Sequence, residues 1–350
     1  MAKLKLLSNK TIFGLNIIVA LLAMLSYLTP YIPPKSFPLL AGISLAVSPL
    51  MMLNILFLIY WIIRIKRRMW LSALVMFIGI YHFNAFLQLP GGDNPLPKDS
   101  AQIKVMSHNV RLFEAYEPDP DKEVKQKINA LISQQQPDIL FFQEYYELEG
   151  LQFAAYPYSY VHFKPKHKMG HAIFSKYPLL NKKAFDFKGT SNNTIYADVV
   201  VGKDTLRVYN MHLQSYRISS SVADFEQKDT QSFKDRIQGA FVEQQQQAEA
   251  ILEHISKSNL PVILGGDLNN TAFSYIYRQI NKSFKDSFVA KGAGLGTTYK
   301  VDYFPLRIDY IFAGKGLEIH SHKSLKSNFS DHRPIVSTIY WGATSVKDSK

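Results

Sequence analysis

The stretch "VILGGDLNN", residues 262–270, decides how the rest of the chain is read. Val262, Ile263 and Leu264 describe a strand buried on both faces. Two glycines come next, and then Asp267, Leu268, Asn269 and Asn270. In isolation this ending is also turn chemistry, because Asp and Asn side chains bond their own backbone and Gly-Gly supplies the freedom a turn needs. The test is whether other apolar segments end in the same way.

They do. "IKVMSHNV" (103–110) reads as a strand that delivers Asn109, "DILFFQE" (138–144) delivers Glu144, and "TLRVYNMHL" (205–213) delivers His212. "RIDYIFAG" (307–314) carries Asp309 near its start, and "SDHRPIV" (330–336) sets Asp331 and His332 just before a strand begins. Apolar segments that each deliver an acid, an amide or an imidazole imply one polar cluster at one rim of the sheets. Strand-end loops on a rigid scaffold are where chemistry is usually presented.

Helical patterns lie between these strands. "EVKQKINALISQQ" (123–135) is amphipathic and stopped by Pro137. Over residues 231–256, Ile237, Phe241, Ala248, Ile251, Leu252 and Ile255 share one helical face, so the glutamines of "EQQQQAE" (243–249) are expected on the solvated side. A short helix is expected near 273–280. "HAIFSKYPL" (171–179) and "TIYADVVVG" (194–202) read as further strands. The whole is a mixed α/β domain with two sheets. "HFKPKHKMGH" (162–171) reads as a basic loop, either solvated or turned to anionic groups.

The first hundred residues are of another kind. Residues 11–32, 39–63 and 69–89 contain no Asp, Glu, Lys or Arg, and each run reaches the roughly 20 residues that cross a bilayer as a helix. Lys3, Lys5 and Lys10 precede the first run and "RIKRR" (64–68) joins the second to the third, whereas "PPKSFP" (33–38) holds only Lys35. By the positive-inside rule the N-terminus and the second loop are cytoplasmic, and the chain beyond the third span is extracytoplasmic. The expected organisation is a membrane anchor at 1–89, a Pro- and Gly-rich linker at 90–101, a catalytic domain at 102–342 and a tail at 343–350. Nine Lys and Arg against two Asp in residues 1–100 account for seven of the formal +12. The basic balance is therefore mostly a topology signal, and weak evidence for nucleic-acid binding.

The chain of 350 residues has no cysteine, which excludes disulfides, thiolate metal sites and a cysteine nucleophile. No HExxH or GxSxG stretch occurs. Glu144, Asp267, Asp309 and Asp331 with Asn109 and Asn269 form an oxygen-rich set suited to a hard cation, Mg²⁺ first and Mn²⁺ as the alternative. Asp309 beside His332 would fix the charge and tautomer of that imidazole.

With "SHNVR", "ILFFQE", "NMHL", "GGDLNN", "RIDYIF" and "SDHRPI" in this order, the chain resembles the endonuclease/exonuclease/phosphatase superfamily of Mg²⁺-dependent phosphoesterases over about residues 103–340. The resemblance implies a four-layer α/β sandwich, two packed mixed sheets flanked by helices, here preceded by three transmembrane helices. It implies that Glu144 is the principal metal ligand, with Asn109 beside it and Asp331 as a further ligand. It assigns Asp267 to the attacking water, Asn269 to the phosphorane oxygens, His332 to the scissile phosphate and Asp309 to orienting His332. His212 stands where the secreted DNase and sphingomyelinase branches also have histidine. Arg111 departs from the abasic-site nucleases, which have an acid there, so it is expected either at a phosphate oxygen or in a surface ion pair. Arg111 and His171 are the candidate substrate contacts.

The expected activity is hydrolysis of a phosphodiester by in-line water attack, on a membrane lipid head group. A Mg²⁺-dependent deoxyribonuclease is the first alternative, and a catalytically inactive membrane binding module the second. The expected partners are a phosphodiester, from lipid or nucleic acid, and the bilayer; the sequence identifies no protein partner.

Overall fold

A computed structural model describes residues 8–91, 95–117, 121–216, 230–301 and 304–342. Part of the expected linker (92–94) and the expected tail (343–350) lie outside the described residues. The helical N-terminal part comprises α1 (Asn9–Ser26), α2 (Pro38–Gly42), α3 (Val47–Ile63), α4 (Met69–Ile78) and α5 (Ile80–Phe86). Among the described residues, two helical runs, Asn9–Tyr31 and Pro38–Ile63, are long and apolar enough to cross a membrane. The third apolar run is shorter because it breaks at Gly79 between α4 and α5. Tyr27 packs so closely on that glycine that a Cβ there would lie 2.5 Å from the tyrosine oxygen. Leu21, Leu28, Leu39, Leu56, Ile63 and Phe77 project outward from the bundle.

Beyond it lie two six-stranded mixed sheets. The first contains β1 (Ala101–Asn109), β2 (Ile139–Tyr145), β3 (Tyr158–Phe163) and β4 (Gly170–Ser175). The second contains β5 (Leu179–Ala184), β6 (Thr194–Val201), β7 (Asp204–His212), β8 (Val262–Asp267) and β9 (Lys285–Asp286). A small hairpin, β10 (Tyr299–Val301) and β11 (Phe304–Leu306), precedes β12 (Asp309–Ala313) of the second sheet. β13 (Glu318–Ser324) and β14 (Ile335–Trp341) return to the first. The spatial orders are β13-β14-β1-β2-β4-β3 and β5-β6-β7-β8-β12-β9, with β1/β2 and β7/β8 the parallel pairs at the two centres.

Alternation along the strands builds the layers. Ile103 and Val105 of β1, Phe141 of β2, Val208 of β7, Ile263 of β8 and Ile311 of β12 point between the sheets into one buried cluster. The intervening residues point out. Met106, Leu140 and Phe142 meet Val124, Ile128 and Ile132 of α6 (Val124–Gln135). Tyr209, Leu264 and Phe312 meet Ala248 and Ile251 of α7 (Thr230–Ser256) and Ile276 and Ile280 of α8 (Tyr275–Asn281). The result is the four-layer arrangement, helix, sheet, sheet, helix. The last helix, α9 (Ser287–Lys291), flanks β12 and β13.

The glutamine run corrects the sequence reading. Gln244, Gln245 and Gln247 are buried and Gln246 alone is exposed. Gln244 donates to the carbonyls of Gln214 and Asn269, Gln247 accepts from the Gln214 amide, and Gln245 accepts from the Lys35 amide. Apolar periodicity placed these residues off the helix's hydrophobic stripe, but they meet backbone that needs partners.

Candidate active site

The glycines of the opening stretch lie within β8, where close approach rather than a turn requires them. A Cβ on Gly265 would lie 2.5 Å from the Phe141 ring, and one on Gly266 would lie 1.9 Å from the Met211 carbonyl oxygen. Gly266 also has φ +134°, which side chains rarely adopt. β8 is thereby pressed against β7 and the opposite sheet immediately before Asp267.

Asp267 lies abreast of His212 in the parallel β7/β8 ladder and abreast of Asp309 in the antiparallel β8/β12 ladder. All three share the inward parity of their strands: 208, 210, 212 on β7; 263, 265, 267 on β8; 309, 311 on β12. Asn109 has the same parity on β1. Glu144 does not, since Phe141 and Gln143 are the inward residues of β2. A bulge between Phe142 and Tyr145, with Glu144 at φ +50°, turns its carboxylate back into the cleft.

Asn109 ties the two sheets together. Its Nδ2 donates to Glu144 Oε1 and to Asp267 Oδ2, both at 3.2 Å. His332 Nδ1 lies 2.9 Å from Asp309 Oδ2, and its Nε2 is 3.7 Å from Asp267 Oδ2. His212 Nε2 stands 3.7 Å from Asp267 Oδ2 and 3.8 Å from Glu144 Oε1, yet neither of its ring nitrogens has a hydrogen-bond partner among the described residues. His171 lies behind it, ring centroids 5.5 Å apart, with Nε2 likewise unpartnered among them. Asn269, at φ +48°, donates its backbone amide to Asp267 Oδ1 (2.7 Å) and its Nδ2 to the Leu213 carbonyl (3.0 Å).

Arg111 and Asp331 stand at the edge of this cluster. Arg111 pairs with Glu117 at 2.7 Å and lies 4.0 Å from Asp331, so the surface ion pair is the arrangement found. Sequence reading missed Tyr299, whose ring lies 4.6 Å from that of His332, and Ser330, whose hydroxyl donates to the Asn109 carbonyl and accepts from the His332 amide. It also missed His108, whose Nε2 donates to the His332 carbonyl at 3.3 Å. Tyr299 occupies a three-residue strand with no periodicity to announce it.

Charge is unevenly held. Burial, then the neighbouring Asp309 carboxylate, push Asp267 up to about 7. Burial also raises Glu144. His332 is buried, which opposes its charge, but Asp309 and Asp267 outweigh this and lift it to about 10. Burial, then the neighbouring imidazoles of His171 and His332, drives His212 well below 6.5. Glu144, Asp267 and Asp309 thus face one imidazolium and one neutral imidazole.

Such a donor set fits a divalent cation. Oxygens from both sheets converge, the Glu144 and Asp267 carboxyls are desolvated enough to resist ionising, and positive charge brought between them restores their charged form. Asp267, Asp309 and His332 also offer atoms within 4.8 Å of one another. That trio is the poorer seat, because Asp309 already holds a protonated His332, which cannot ligate. Glu144, which Asn109 ties to Asp267 across the sheets, is the better anchor.

The sequence profile of the Endonuclease/Exonuclease/phosphatase family matches residues 106–332, and one described as a domain of unknown function matches residues 9–86. No protein of curated function matches the chain in sequence. Among solved structures, the fold is similar to an endonuclease/exonuclease/phosphatase from Bacteroides vulgatus (15% identity, 69% of this chain and 100% of that one, TM-score 0.53). It is also similar to the human Nocturnin catalytic domain with bound sulfate (18%, 71% and 100%, TM-score 0.51). A third is D. rerio TDP2 in complex with a single-strand DNA product (17%, 68% and 99%, TM-score 0.51). The chain belongs to the Endonuclease/Exonuclease/phosphatase family and is a metal-dependent hydrolase of phosphoric ester bonds.

Proposed function

We propose that this protein is a membrane-anchored, Mg²⁺-dependent phosphodiesterase that hydrolyses a lipid head-group ester on the extracytoplasmic face. The observation that carries the catalytic part is the Asn109 amide bonded at once to Glu144 and Asp267 across two sheets. Glu144, Asn109 and Asp331 would hold the cation, which when bound would neutralise charge on the phosphorus oxygens and activate the leaving oxygen. Asp267, whose charged form the cation restores, accepts the proton of the attacking water. His332, kept cationic by Asp309, donates to a phosphate oxygen, and Asn269 steadies the same oxygens. The leaving oxygen takes a proton from His332, which is restored by the proton that Asp267 removed from water, and His212, neutral and unpartnered among the described residues, hydrogen-bonds the ester. Arg111 stands at the rim beside the substrate, and His171, buried behind His212, acts on it through that imidazole.

The bundle supports the anchoring. Asn16 of α1 donates to Ser72 of α4 and accepts from Trp61 of α3, each at 2.9 Å, so one buried polar contact joins three helices. This supports α4 and α5 as the third span. Its ends also differ. Asn9 meets Tyr60 and Arg68 at the basic end, whereas residues 29–44 and 85–88 touch the catalytic domain at the other. With the basic end cytoplasmic, the catalytic domain faces the opposite side.

The test uses the full chain in nanodiscs, with Mg²⁺ or EDTA, offered phospholipid and sphingomyelin vesicles, plasmid DNA and a chromogenic bis-phosphodiester. Mg²⁺-dependent release of phosphorylated head groups is expected. Cleavage of DNA alone would establish the nuclease reading instead, which the DNA-bound TDP2 structure favours. No turnover of any substrate would leave a binding module.

A further inference from the structure

The loop after the catalytic residues of β8 is built into the membrane bundle. Phe273, four positions after Asn269, is 3% exposed and belongs to the same apolar cluster as Ala20, Ala23, Tyr27, Val47 and Met51. Its ring lies 6.1 Å from His82, which stacks on Tyr27. The hydroxyl of Thr271 donates to the Ser44 carbonyl (2.9 Å), and the hydroxyl of Thr29 lies 2.8 Å from the Phe273 carbonyl. Ser44 Oγ also approaches Asn270 Oδ1 at 3.5 Å. Asn270, Thr271, Ser44 and Thr29 are all buried.

The catalytic domain holds the loop's other side. Asn270 Nδ2 donates to Gln244, whose own Nε2 donates to the Asn269 carbonyl. Asn269 itself sits in the left-handed region at φ +48°, which Asn adopts more readily than other side chains, and these bonds fix it there. A second strut reaches the strand that carries Asp309, where Arg307 lies 3.4 Å from the Ala85 carbonyl and bonds Asp286 at 2.7 Å.

The geometry points to a second role for the bundle: it is a brace for the catalytic loop, with Phe273 and Thr271 as positioning residues that hold Asn269 against the reacting phosphate. A tether concentrates enzyme on its substrate and leaves turnover untouched. A brace acts on turnover itself, because displacing a catalytic amide by about 1 Å costs on the order of 100-fold in rate. Helix packing in the membrane thereby becomes part of the active site's stiffness. The inference rests on the reading that Asn269 contacts the substrate.

The full chain in detergent, as parent, Phe273→Ala, Phe273→Leu, Thr271→Val and Ser44→Ala, tests it with a soluble chromogenic bis-phosphodiester and Mg²⁺, together with amide hydrogen exchange. Expected is a kcat lower by roughly 10- to 100-fold in Phe273→Ala and severalfold in Thr271→Val. KM and the Mg²⁺ activation midpoint should be unchanged, and Phe273→Leu should recover most of the loss. Exchange should rise in residues 268–274 and not at the ends of β1 and β2. Parent-like kcat and exchange in Phe273→Ala, Thr271→Val and Ser44→Ala would overturn the brace. A parent that hydrolyses no phosphodiester would defeat the proposed function, and the exchange data alone would then decide the brace.

Discussion

The space between the two sheets has a lower and an upper half, built by the same strands with opposite chemistry. Below, Ile103, Val105, Phe141, Val208, Ile263 and Ile311 pack dry against one another. Above, the same inward columns deliver Asn109, His212, Asp267 and Asp309, with Glu144 brought in by a bulge. Between the halves, Gln143 Nε2 donates to Asn210 Oδ1 at 2.6 Å and to Ser107 Oγ at 3.2 Å, and Asn210 Nδ2 lies 2.9 Å from the Phe142 and Ala172 carbonyls. The lower half is stabilised by leaving water, while the upper half is strained by it, since buried carboxylates cost free energy unless a partner restores their charge. Stability and reactivity are therefore separated by about two residues of strand.

Asp267→Asn should disturb this contrast most deeply. Turnover should fall on the order of 1,000-fold, measured as kcat with Mg²⁺ saturating. The variant should also gain stability in EDTA at pH 8. An acid raised from 3.8 to about 7 on folding holds its proton in the native state, so its stabilising share is present below pH 3.8 and is lost as pH rises through 7. Urea unfolding at pH 4 and pH 8 measures the difference, and a gain that is equal at both would sink the assignment.

Phe141→Ala, in the lower half, should do the reverse. About 3 kcal/mol of stability should disappear with the Mg²⁺ midpoint unmoved. Gln143→Leu, at the boundary, leaves the Asn210 oxygen without its donor and should cost roughly 2 kcal/mol, with kcat falling less than in Asp267→Asn. A boundary variant that lost activity without stability would show that the division lies lower in the sheets.

Smaller effects probe the charges around the site. His108 is buried beneath it and driven from 6.5 to about 3 by burial, then by the His332 charge. The unfolded chain binds its proton more readily between these values, so its contribution to stability is present above 6.5 and is lost as pH falls toward 3. His108→Phe should make the acid limb of stability shallower by up to about 1.4 kcal/mol per pH unit, read from urea midpoints between pH 4 and 6. Arg111→Ala removes an exposed ion pair and should change stability by less than about 1 kcal/mol. Its effect on KM then isolates any contact with substrate.

Much of the sandwich is legible in the chain because strand periodicity and strand endings are local properties. The inward columns that end in Asn109, His212, Asp267 and Asp309 can be counted along the chain two residues at a time. Glu144 could be named but not aimed, since its parity is wrong until the bulge corrects it. The basic stretch at 162–171 proved to be strand at both ends, where β3 and β4 pair through His162 and His171, with the loop between them. Tyr299, His108 and Ser330 gave no local signal.

The apolar runs, the alternating strands and the polar residues at their ends were dictated by sequence alone, because each depends on neighbours within a few positions. Tertiary packing was needed to bury three glutamines of α7, to set Gly265 and Gly266 to close approach rather than a turn, and to seat Phe273 among the N-terminal helices. Those outcomes turn on which surface meets which across hundreds of residues, and a contact of that kind leaves no periodic mark on either partner.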